Sequence, residues 1–364
     1  MKWLLVALLV IFLALGTFLL SPSPIDSRGW QAPEPPALEG PLAPNTLLRE
    51  ADLLAKGQVT GPEDVALDER GRVYTGTLDG KLVRVGKGGQ LEVLAETGGR
   101  PLGMAFDQYD RLLVADAERG LLSVDVDGSV RVLTREARGQ PFGFTDDVSI
   151  APDGRVYFTD ASIRFGYQDS MLDLLDMRPS GRLLRWTPHR GRAEVLVSNL
   201  NFANGVSVAP DGSYLLVSET WKYRILKYNI VGPKAGQVEV FADNLPGFPD
   251  NLDIDGQERV WVAFPLLRDH RIDSMHRWPW LKDLVAKLPD FLRPQPKRYG
   301  FVAVLDREGR FLASLHDPGG RHLQALTSVT PHGGFLYFGS LHNDRIGRLP
   351  VSAVPGLNEV TDEF

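Results

Sequence analysis

The sequence predicts an all-β fold, a six-bladed β-propeller, preceded by an apolar helix and interrupted by a short helical insertion. Three observations lead to this prediction. One phrase returns six times along the chain, a turn rich in Asp and Gly lies inside each copy, and most copies follow one another without an amphipathic helix between them. Together they indicate a series of small antiparallel sheets instead of a helical repeat.

The repeated phrase has the pattern of a β-hairpin. Each copy contains a short alternating apolar strand, a turn, and a second strand with an aromatic or β-branched pair. Spacings of roughly 40 to 60 residues are typical of propeller blades, and closing the sheets into a ring protects their edge strands. The copies are GPEDVALDERGRVYTG from Gly61, RPLGMAFDQYDRLLVAD from Arg100, FTDDVSIAPDGRVYFTD from Phe144, FANGVSVAPDGSYLLVSE from Phe202, FPDNLDIDGQERVWVAF from Phe248 and the degraded LQALTSVTPHGGFLYFGS from Leu323.

Acidic residues inside the hairpin turns are expected to be structural. Asp and Gly favour turn conformations because a short carboxylate accepts hydrogen bonds from nearby backbone N–H groups. We therefore predict turn roles, and no ligand role, for Asp68, Asp107, Asp153, Asp211 and Asp255.

The first residues are expected to lie outside the propeller. Lys2 is followed by an unbroken apolar run at 3–20, long enough to cross a bilayer as a helix. We predict a transmembrane signal-anchor at 1–20 in a single-pass protein, with the propeller on the non-cytoplasmic side. The alternative is a cleaved signal peptide and a secreted protein, but the run ends in Phe-Leu-Leu instead of small residues.

Composition sets the remaining boundaries. A proline-rich segment at 21–46 is predicted as an extended linker, the propeller at 47–354 and a C-terminal tail at 355–364. The longest interruption, 265–299, contains WPWLKDLVAKLPDFL, with apolar residues at helical spacing. It is expected to be a packed cap on the rim, a lid over the channel or a surface that dips into a membrane. A second insertion at 162–180 would complete the same roof.

Composition also excludes several functions. The net charge of −6 and the scattered basic residues leave no surface typical of nucleic-acid binding. The absence of cysteine excludes thiolate metal sites, thiol nucleophiles and disulfides.

One position in the repeat is chemically distinctive. The first strand of each blade lines the propeller axis, so the residue just before it points into a shared space. Buried carboxylates at this position would repel one another unless a cation lay among them, and Ca²⁺ prefers oxygen ligands. Aligning the copies places there Glu63, Leu102, Asp146, Asn204, Asp250 and Ala325. The sequence therefore predicts a divalent cation site, Ca²⁺ or another hard cation, to which the neighbouring Asn251 adds an amide oxygen.

At these residues the chain resembles a known superfamily. The phrases GPED, FANGVSVAPDG and PDNLDIDG are similar to those of the calcium-dependent six-bladed propellers, which include paraoxonases, gluconolactonases and strictosidine synthase-like proteins. The apolar N-terminus and the phrases SPIDSRGWQAPEPP, PSGRLLRW and GGFLYFGSLHNDRIGRL resemble the strictosidine synthase-like branch, including the adipocyte plasma membrane-associated proteins. The resemblance covers residues 24–350.

The resemblance implies a role for each matching residue. Asp146 departs from the paraoxonase pattern, which has asparagine there, and adds negative charge. A second, structural calcium would use Asp64 and Asp147, whose alternative role is hydrogen bonding beneath the central cation site. The expected ligands of the central cation are Glu63, Asp146, Asn204, Asp250 and Asn251.

Two departures restrict the chemistry. The paraoxonase histidine base falls at Leu102, and the stretch that matches the strictosidine synthase glutamate, LQALTSVTP, has no carboxylate. We therefore predict a metal-dependent hydrolase of small esters or lactones, arylesterase-like or lactonase-like, with Asp250 or Asp146 as base or nucleophile. A non-catalytic, metal-stabilised binding propeller and, less favoured, a condensing enzyme are the alternatives. The expected substrate contacts are Leu102, Trp221 and His342.

Overall fold

The predicted six-bladed β-propeller is present. A computed structural model describes residues 2–86, 89–188, 190–293, 295 and 297–357 of the chain. Within these residues there are six four-stranded antiparallel sheets and one small two-stranded hairpin. The predicted C-terminal tail at 355–364 lies mostly outside the described residues.

An apolar helix precedes the propeller. It is α1 (Lys2–Leu20), a helix of 19 residues. Its large side chains are exposed, among them Trp3 and Phe12. Over the ranges that the structure describes, no helix combines the length and apolarity that crossing a membrane requires.

The first strand of the chain completes the last blade. β1 (Asp52–Leu54) is followed by three blades that are continuous in sequence. Innermost strand first, they are blade 1, β2 (Val65–Leu67), β3 (Val73–Gly76), β4 (Lys81–Val85) and β5 (Leu91–Glu96); blade 2, β6 (Pro101–Phe106), β7 (Leu112–Asp116), β8 (Gly120–Val124) and β9 (Val130–Thr134); then the hairpin β10 (Glu136–Ala137) and β11 (Gln140–Pro141); and blade 3, β12 (Thr145–Ile150), β13 (Val156–Asp160), β14 (Gly181–Thr187) and β15 (Arg192–Leu200).

The other three blades follow the same rule. They are blade 4, β16 (Ala203–Val208), β17 (Tyr214–Glu219), β18 (Arg224–Asn229) and β19 (Val238–Ala242); blade 5, β20 (Leu252–Ile254), β21 (Val260–Ala263), β22 (Tyr299–Leu305) and β23 (Phe311–Pro318); and blade 6, β24 (Leu326–His332), β25 (Phe335–Ser340), β26 (Ile346–Pro350) and β1. β1 pairs antiparallel with β26, Leu53 opposite Gly347, so the two ends of the propeller sequence share one sheet. This pairing closes the ring and covers the edge of β26.

The hydrophobic core lies mainly between neighbouring blades. Leu113 and Ala115 of blade 2, for example, pack with Val148 and Phe158 of blade 3. Alternating strand residues supply both faces of each blade, as the period-two pattern predicted.

The turn aspartates have the structural role that the sequence predicts. Asp68 Oδ1 accepts hydrogen bonds from the N–H groups of Arg70 and Arg72, and its other oxygen pairs with the Arg72 guanidinium. Asp107 and Asp255 repeat the arrangement with an arginine four residues later.

Inner strands carry a repeated irregularity that positions the site. The register with the second strand shifts in β6, β12, β16 and β24, directly after the first paired residue. A bulge of this kind bends the strand and re-aims its side chains. In these four strands two successive residues consequently reach the axis, and the second lies one layer below the first.

Both insertions form a roof at the end of the propeller where the inner strands begin. The shorter connects β13 to β14 and contains α2 (Ser170–Asp176). The longer connects β21 to β22 and contains α3 (His270–Met275) and α4 (Pro279–Ala286). Short 3-10 turns occur at Gly40–Leu42, Leu47–Glu50, Tyr167–Asp169, Thr220–Lys222, Asp290–Leu292 and Val351–Ala353.

The proline-rich segment is extended but does not stand free as a spacer. The N–H of Arg28 donates to the carbonyl of Asp176 at the end of α2 (2.8 Å), and the N–H of Trp30 donates to the carbonyl of His276 after α3 (2.9 Å). Lys282 of α4 donates in turn to the Arg28 carbonyl at 2.6 Å. The segment therefore ties the helices of the roof together.

Candidate functional site

The five predicted cation ligands, which we call the ring, converge on the propeller axis. Asn251 Nδ2 of blade 5 donates to Glu63 Oε1 of blade 1 at 3.2 Å. The side chain of Asn204 hydrogen-bonds Asp250, whose charge acts on both Glu63 and Asp146. All five side chains are buried. Residues almost 190 positions apart in sequence are thus brought together because each lies just before or at the start of an inner strand.

Blade 6 differs from the sequence alignment. In blades 2, 3 and 4 the ring residue directly follows the first paired residue of the inner strand, and in blade 6 that first residue is Leu326, opposite Ser340. The ring position is therefore Thr327 and not Ala325. Thr327 Oγ1 donates to the carbonyl of Glu63 at 2.6 Å, so it fastens blade 6 to blade 1.

The alignment failed because it matched PHGG of the sixth copy to the PDG turn of the third and fourth copies. In the structure β24 extends through Pro331 to His332, which pairs with Phe335, so the turn of blade 6 is shorter and the ring position moves by two residues.

The ring contains buried oxygens that lack partners. Within the described ranges, no hydrogen bond reaches Glu63 Oε2, Asp146 Oδ2, Asn204 Oδ1 or Asn251 Oδ1. Buried polar atoms normally have a partner, because an unpaired one loses its interaction with water. These oxygens are the type of donor that a hard cation takes.

The surroundings of the ring raise the pKa values of its carboxyl groups and so favour their protonated forms. Burial, followed by the charges of Asp250, Asp64 and Asp146, raises the pKa of Glu63 well above its ordinary value. Burial and the Asp250 charge do the same to the pKa of Asp146. Burial raises the pKa of Asp250 to about 8. Protons or a cation must therefore compensate this site.

The ring mixes carboxylates with amides. Among the residues that the structure describes, no group of three or more His, Cys, Asp or Glu side chains is arranged to hold a metal ion. The fit of a cation thus rests on the unpaired carboxylate and amide oxygens taken together.

A second polar layer lies directly beneath the ring. Asp64 Oδ2 accepts from the N–H of Met104 at 2.8 Å. Asp147 accepts from the N–H groups of Val148 and Val206, both at 2.7 Å. These contacts are the supporting role that the sequence analysis gave as the alternative to a second cation site. A cavity of about 190 Å³ begins at this layer and is lined by inner-strand residues of the blades, among them Leu67, Phe106 and Thr330.

Two glycines make room for these layers. A Cβ at Gly103 would lie 2.1 Å from Asp147 Oδ1, and one at Gly205 would lie 2.5 Å from the Cα of Asn251. Both glycines occupy the lower-layer position of their inner strands. Without a side chain there, neighbouring blades approach closely enough for their polar groups to meet.

Arg100 is a site residue that the sequence analysis missed. It is 2% exposed and directly precedes the inner strand of blade 2. Its Nη2 donates to the Gly61 carbonyl at 2.8 Å, and its guanidinium lies over the ring of Tyr167 from the roof. Over the described part of the chain its Nε and Nη1 have no acceptor. The signal in the sequence was an arginine next to the ring position of the second copy.

The three predicted substrate contacts lie in different places. Leu102 is buried at the ring position of blade 2. Trp221 is held under the roof, where its Nε1 donates to Asp173 of α2 at 2.8 Å and its ring packs on Phe202. His342 lies away from the ring, in a polar cavity between blades 5 and 6.

Comparison with known proteins identifies the family. A strictosidine synthase family model matches residues 146–233, and a strictosidine synthase-like N-terminal model matches residues 40–85. Human adipocyte plasma membrane-associated protein is 34% identical over 93% of this chain and 87% of its own length. Strictosidine synthase-like 6 of Arabidopsis thaliana is 36% identical over 88% of this chain and 86% of its own length. The chain belongs to the strictosidine synthase-like family.

Several solved structures have a fold similar to this strictosidine synthase-like propeller. A gluconolactonase from Xanthomonas campestris gives a TM-score of 0.62 at 19% identity, over 92% of this chain and 99% of that one. Regucalcin from Agrobacterium tumefaciens, described as a calcium-binding protein, gives 0.58 at 15% identity, over 82% and 92%. At these identities the likeness concerns the fold.

Proposed function

We propose that this strictosidine synthase-like protein is a metal-dependent hydrolase of small esters or lactones, with Ca²⁺ as the expected cation. The observation that carries the proposal is the group of unpaired, buried oxygens on the axis. Holding them together without a counter-charge costs free energy, and a hard divalent cation removes that cost. The named activities of two fold neighbours, a gluconolactonase and a calcium-binding regucalcin, are consistent with this chemistry.

Each ring residue then has a chemical task. The ligands would be Glu63, Asp146, Asn204, Asp250 and Asn251. A hard cation held by them would supply Lewis-acid activation of an ester carbonyl. Asp250, whose pKa is raised to about 8, and Asp146 are the candidate bases or nucleophiles. The free N–H groups of Arg100 are placed to hold a substrate oxygen that gains negative charge.

The proposal is tested by hydrolysis and metal content together. Purified full-length protein in detergent is assayed on phenyl acetate and a lactone panel, with Ca²⁺ or with EDTA, and its metal content is measured. We expect turnover that EDTA abolishes and that Glu63→Ala lacks while the protein remains folded. No turnover of any ester or lactone by calcium-loaded protein would reject the hydrolase.

The roof favours one further candidate, a non-catalytic binding propeller stabilised by the cation. Glu63 and Asp146 are only 2% and 3% exposed, so a substrate reaches them only if the residues around them move. Calcium-dependent thermal stabilisation without turnover would be the result expected of this candidate.

We also propose that the protein is attached to a membrane through α1, with the propeller on the non-cytoplasmic side. The exposed apolar side chains of α1 support attachment, and so does the similarity to relatives named adipocyte plasma membrane-associated protein. Lys287, one residue beyond α4, donates to the carbonyls of Phe18 and Leu19 at the end of α1. The roof insertion is therefore next to the membrane-facing helix.

The roof insertion has the composition of a membrane-contacting surface. It exposes Trp278, Trp280, Phe291 and Leu292. Residues 265–299 also contain eight Lys or Arg against four Asp or Glu, in a chain whose net charge is −6. Aromatic side chains and basic charge suit the interface of an anionic bilayer.

Brominated lipids test this orientation. The test uses full-length Trp3→Phe protein reconstituted into liposomes, because Trp3 lies on α1 and would itself be quenched by the lipid. In this background, replacing Trp278 and Trp280 by Phe should remove most of the quenching of tryptophan fluorescence. Replacing the fully buried Trp261 by Phe is the control and should leave the amount of fluorescence lost to quenching unchanged. Protease protection of the propeller in sealed vesicles reports the side of the membrane. Equal quenching in both variants would contradict contact of the roof with lipid.

A further inference from the structure

A second polar cavity lies on the roof face, beside blade 6. Its volume is about 340 Å³, and it is enclosed by the residue before β22 and by the connections from β23 to β24 and from β25 to β26. The side chains that give it its character are Arg298, Arg321, His342, Asn343, Asp344 and Arg345.

The lining of this cavity carries an excess of positive charge. Asp344 is the carboxylate of the lining, and it pairs with Arg345 Nε at 2.5 Å. Arg298 and Arg321 are exposed to solvent and make no ion pair or side-chain hydrogen bond with any residue that the structure describes. Two arginines without an ion-pair partner therefore line one small cavity, and arginine is the residue best suited to bind carboxylate and phosphate groups.

Asn343 adds an independent indication of a ligand. It is 6% exposed, and its Nδ2 has no acceptor among the described residues. The backbone of Asn343 is held in place, because its carbonyl accepts from the Gly61 N–H at 2.9 Å and its own N–H donates to Ser340 Oγ at 3.1 Å. A buried residue whose side-chain amide lacks an acceptor thus lines the same cavity as the two unpaired arginines.

We propose that this cavity is a binding site for a small oxyanion, the phosphate or carboxylate group of a soluble molecule or of a lipid headgroup. Arg298 and Arg321 supply the charge, and Asn343 Nδ2 supplies a neutral donor at the buried side. The site is separate from the ring, since none of the five predicted cation ligands lines this cavity. The proposal does not depend on hydrolysis or on a cation at the ring.

Thermal stabilisation by phosphate tests the site directly. Full-length protein in detergent is melted with increasing sodium phosphate, against sodium chloride of equal ionic strength, because a ligand that binds the folded state raises the midpoint. We expect a saturable rise with phosphate. The double variant Arg298→Gln, Arg321→Gln should weaken it about tenfold or more, since each change removes charged hydrogen bonds.

An exposed arginine elsewhere is the matched control. Arg190 is exposed in the turn between β14 and β15, on blade 3, and Arg190→Gln should bind phosphate as the unchanged protein does. Asn343→Asp, which places a negative charge at the buried side, should also abolish binding. A phosphate response that is absent, or that is equal in the double variant and in Arg190→Gln, would overturn the proposal.

Two probes distinguish the source of the anion. Glycerophosphoserine is a lipid headgroup without acyl chains, and it is compared with inorganic phosphate in the same melts. Arginine-dependent binding of glycerophosphoserine at least as tight as that of phosphate identifies a lipid headgroup site. Arginine-dependent binding of phosphate alone identifies a site for a soluble phosphate. Binding of neither probe overturns the proposal.

Discussion

The two polar layers on the propeller axis have similar composition but different surroundings. In the upper layer, which is the ring, carboxylate and amide oxygens of Glu63, Asp146 and Asn204 have no partner among the described residues. In the lower layer, Asp64 and Asp147 accept the N–H groups of Met104 and Val206 from neighbouring inner strands, and Asp147 also accepts the N–H of Val148 in its own strand. Burial raises the pKa values of acids in both layers. Both layers join blades, but the lower-layer carboxylates are paired with backbone N–H groups, whereas the upper layer retains oxygens without a partner among the described residues.

This difference separates binding from support. Removing a side chain of the upper layer should change what the protein binds, and removing one of the lower layer should change how stably the blades meet. The following predictions are ordered from the largest expected effect to the smallest.

Asn204→Ala should have the largest effect, on the proposed hydrolysis. Asn204 supplies an unpaired ring oxygen and bonds Asp250, so its loss disturbs both a ligand and the candidate base. We expect the rate to fall about a hundredfold or more, and the calcium-induced rise in melting temperature to disappear. Asn229→Ala, in β18 of the same blade, is the control. A variant that keeps both activity and calcium response would show that Asn204 is not a ligand of the proposed cation.

Gly205→Ala should disturb the upper layer without removing a polar group. Its Cβ would lie 2.5 Å from the Cα of Asn251 and 2.6 Å from the Asp250 carbonyl oxygen, and backbone atoms cannot move aside cheaply. We expect a loss of about 1–3 kcal/mol in the free energy of unfolding and weaker calcium stabilisation. Denaturant melts of Gly256→Ala are the comparison, because a Cβ at Gly256 has nothing within 4 Å. Equal melts for the two variants would contradict the close approach.

Asp147→Asn should affect the lower layer alone. Each carboxylate oxygen of Asp147 accepts one backbone N–H group. In asparagine one of these oxygens is replaced by an NH₂ donor, which leaves the N–H of Val148 or Val206 unpaired. We expect a loss of about 1–2 kcal/mol of stability, with the calcium-induced change in melting temperature retained. Loss of the calcium response would instead show that Asp147 belongs to a second cation site.

The sequence was sufficient to predict the fold and most of the ring because both depend on local patterns. Hairpin turns and alternating strands repeat in each copy, and Glu63, Asp146, Asn204 and Asp250 lie at one fixed offset from them. Thr327 was missed because the turn of the sixth copy is shorter than the others: β24 continues through Pro331 to His332, although PHGG looks like the turn itself.

Contacts between distant segments were the part that local patterns could not show. The prolines of 21–46 indicate an extended chain, yet nothing near them indicates that Arg28 and Trp30 bond to the roof. Arg100 was overlooked for a similar reason. An arginine before a strand is ordinary, and it becomes unusual only when Glu63 and Tyr167 are folded against it.

The pH dependence of stability should give the smallest effect and distinguishes protons from a cation as the compensating charge. The folded-state pKa values of Glu63 and Asp146 are raised well above their ordinary values, and that of Asp250 is about 8. An acid whose pKa is raised by folding releases its proton on unfolding. Its stabilising contribution is present below the unfolded pKa, about 4, and is lost as the pH rises through the folded value.

In EDTA, the melting temperature should therefore fall by a few degrees between pH 5 and 8 beyond any fall in calcium. A bound cation replaces the protons, so the difference between the calcium and EDTA melts should grow with pH. Asp250→Asn removes one titrating ring carboxyl and should make the EDTA curve flatter. Calcium and EDTA curves that run parallel from pH 5 to 8 would show that the upper layer titrates without binding calcium, and would leave proton uptake as the means by which its charges are compensated.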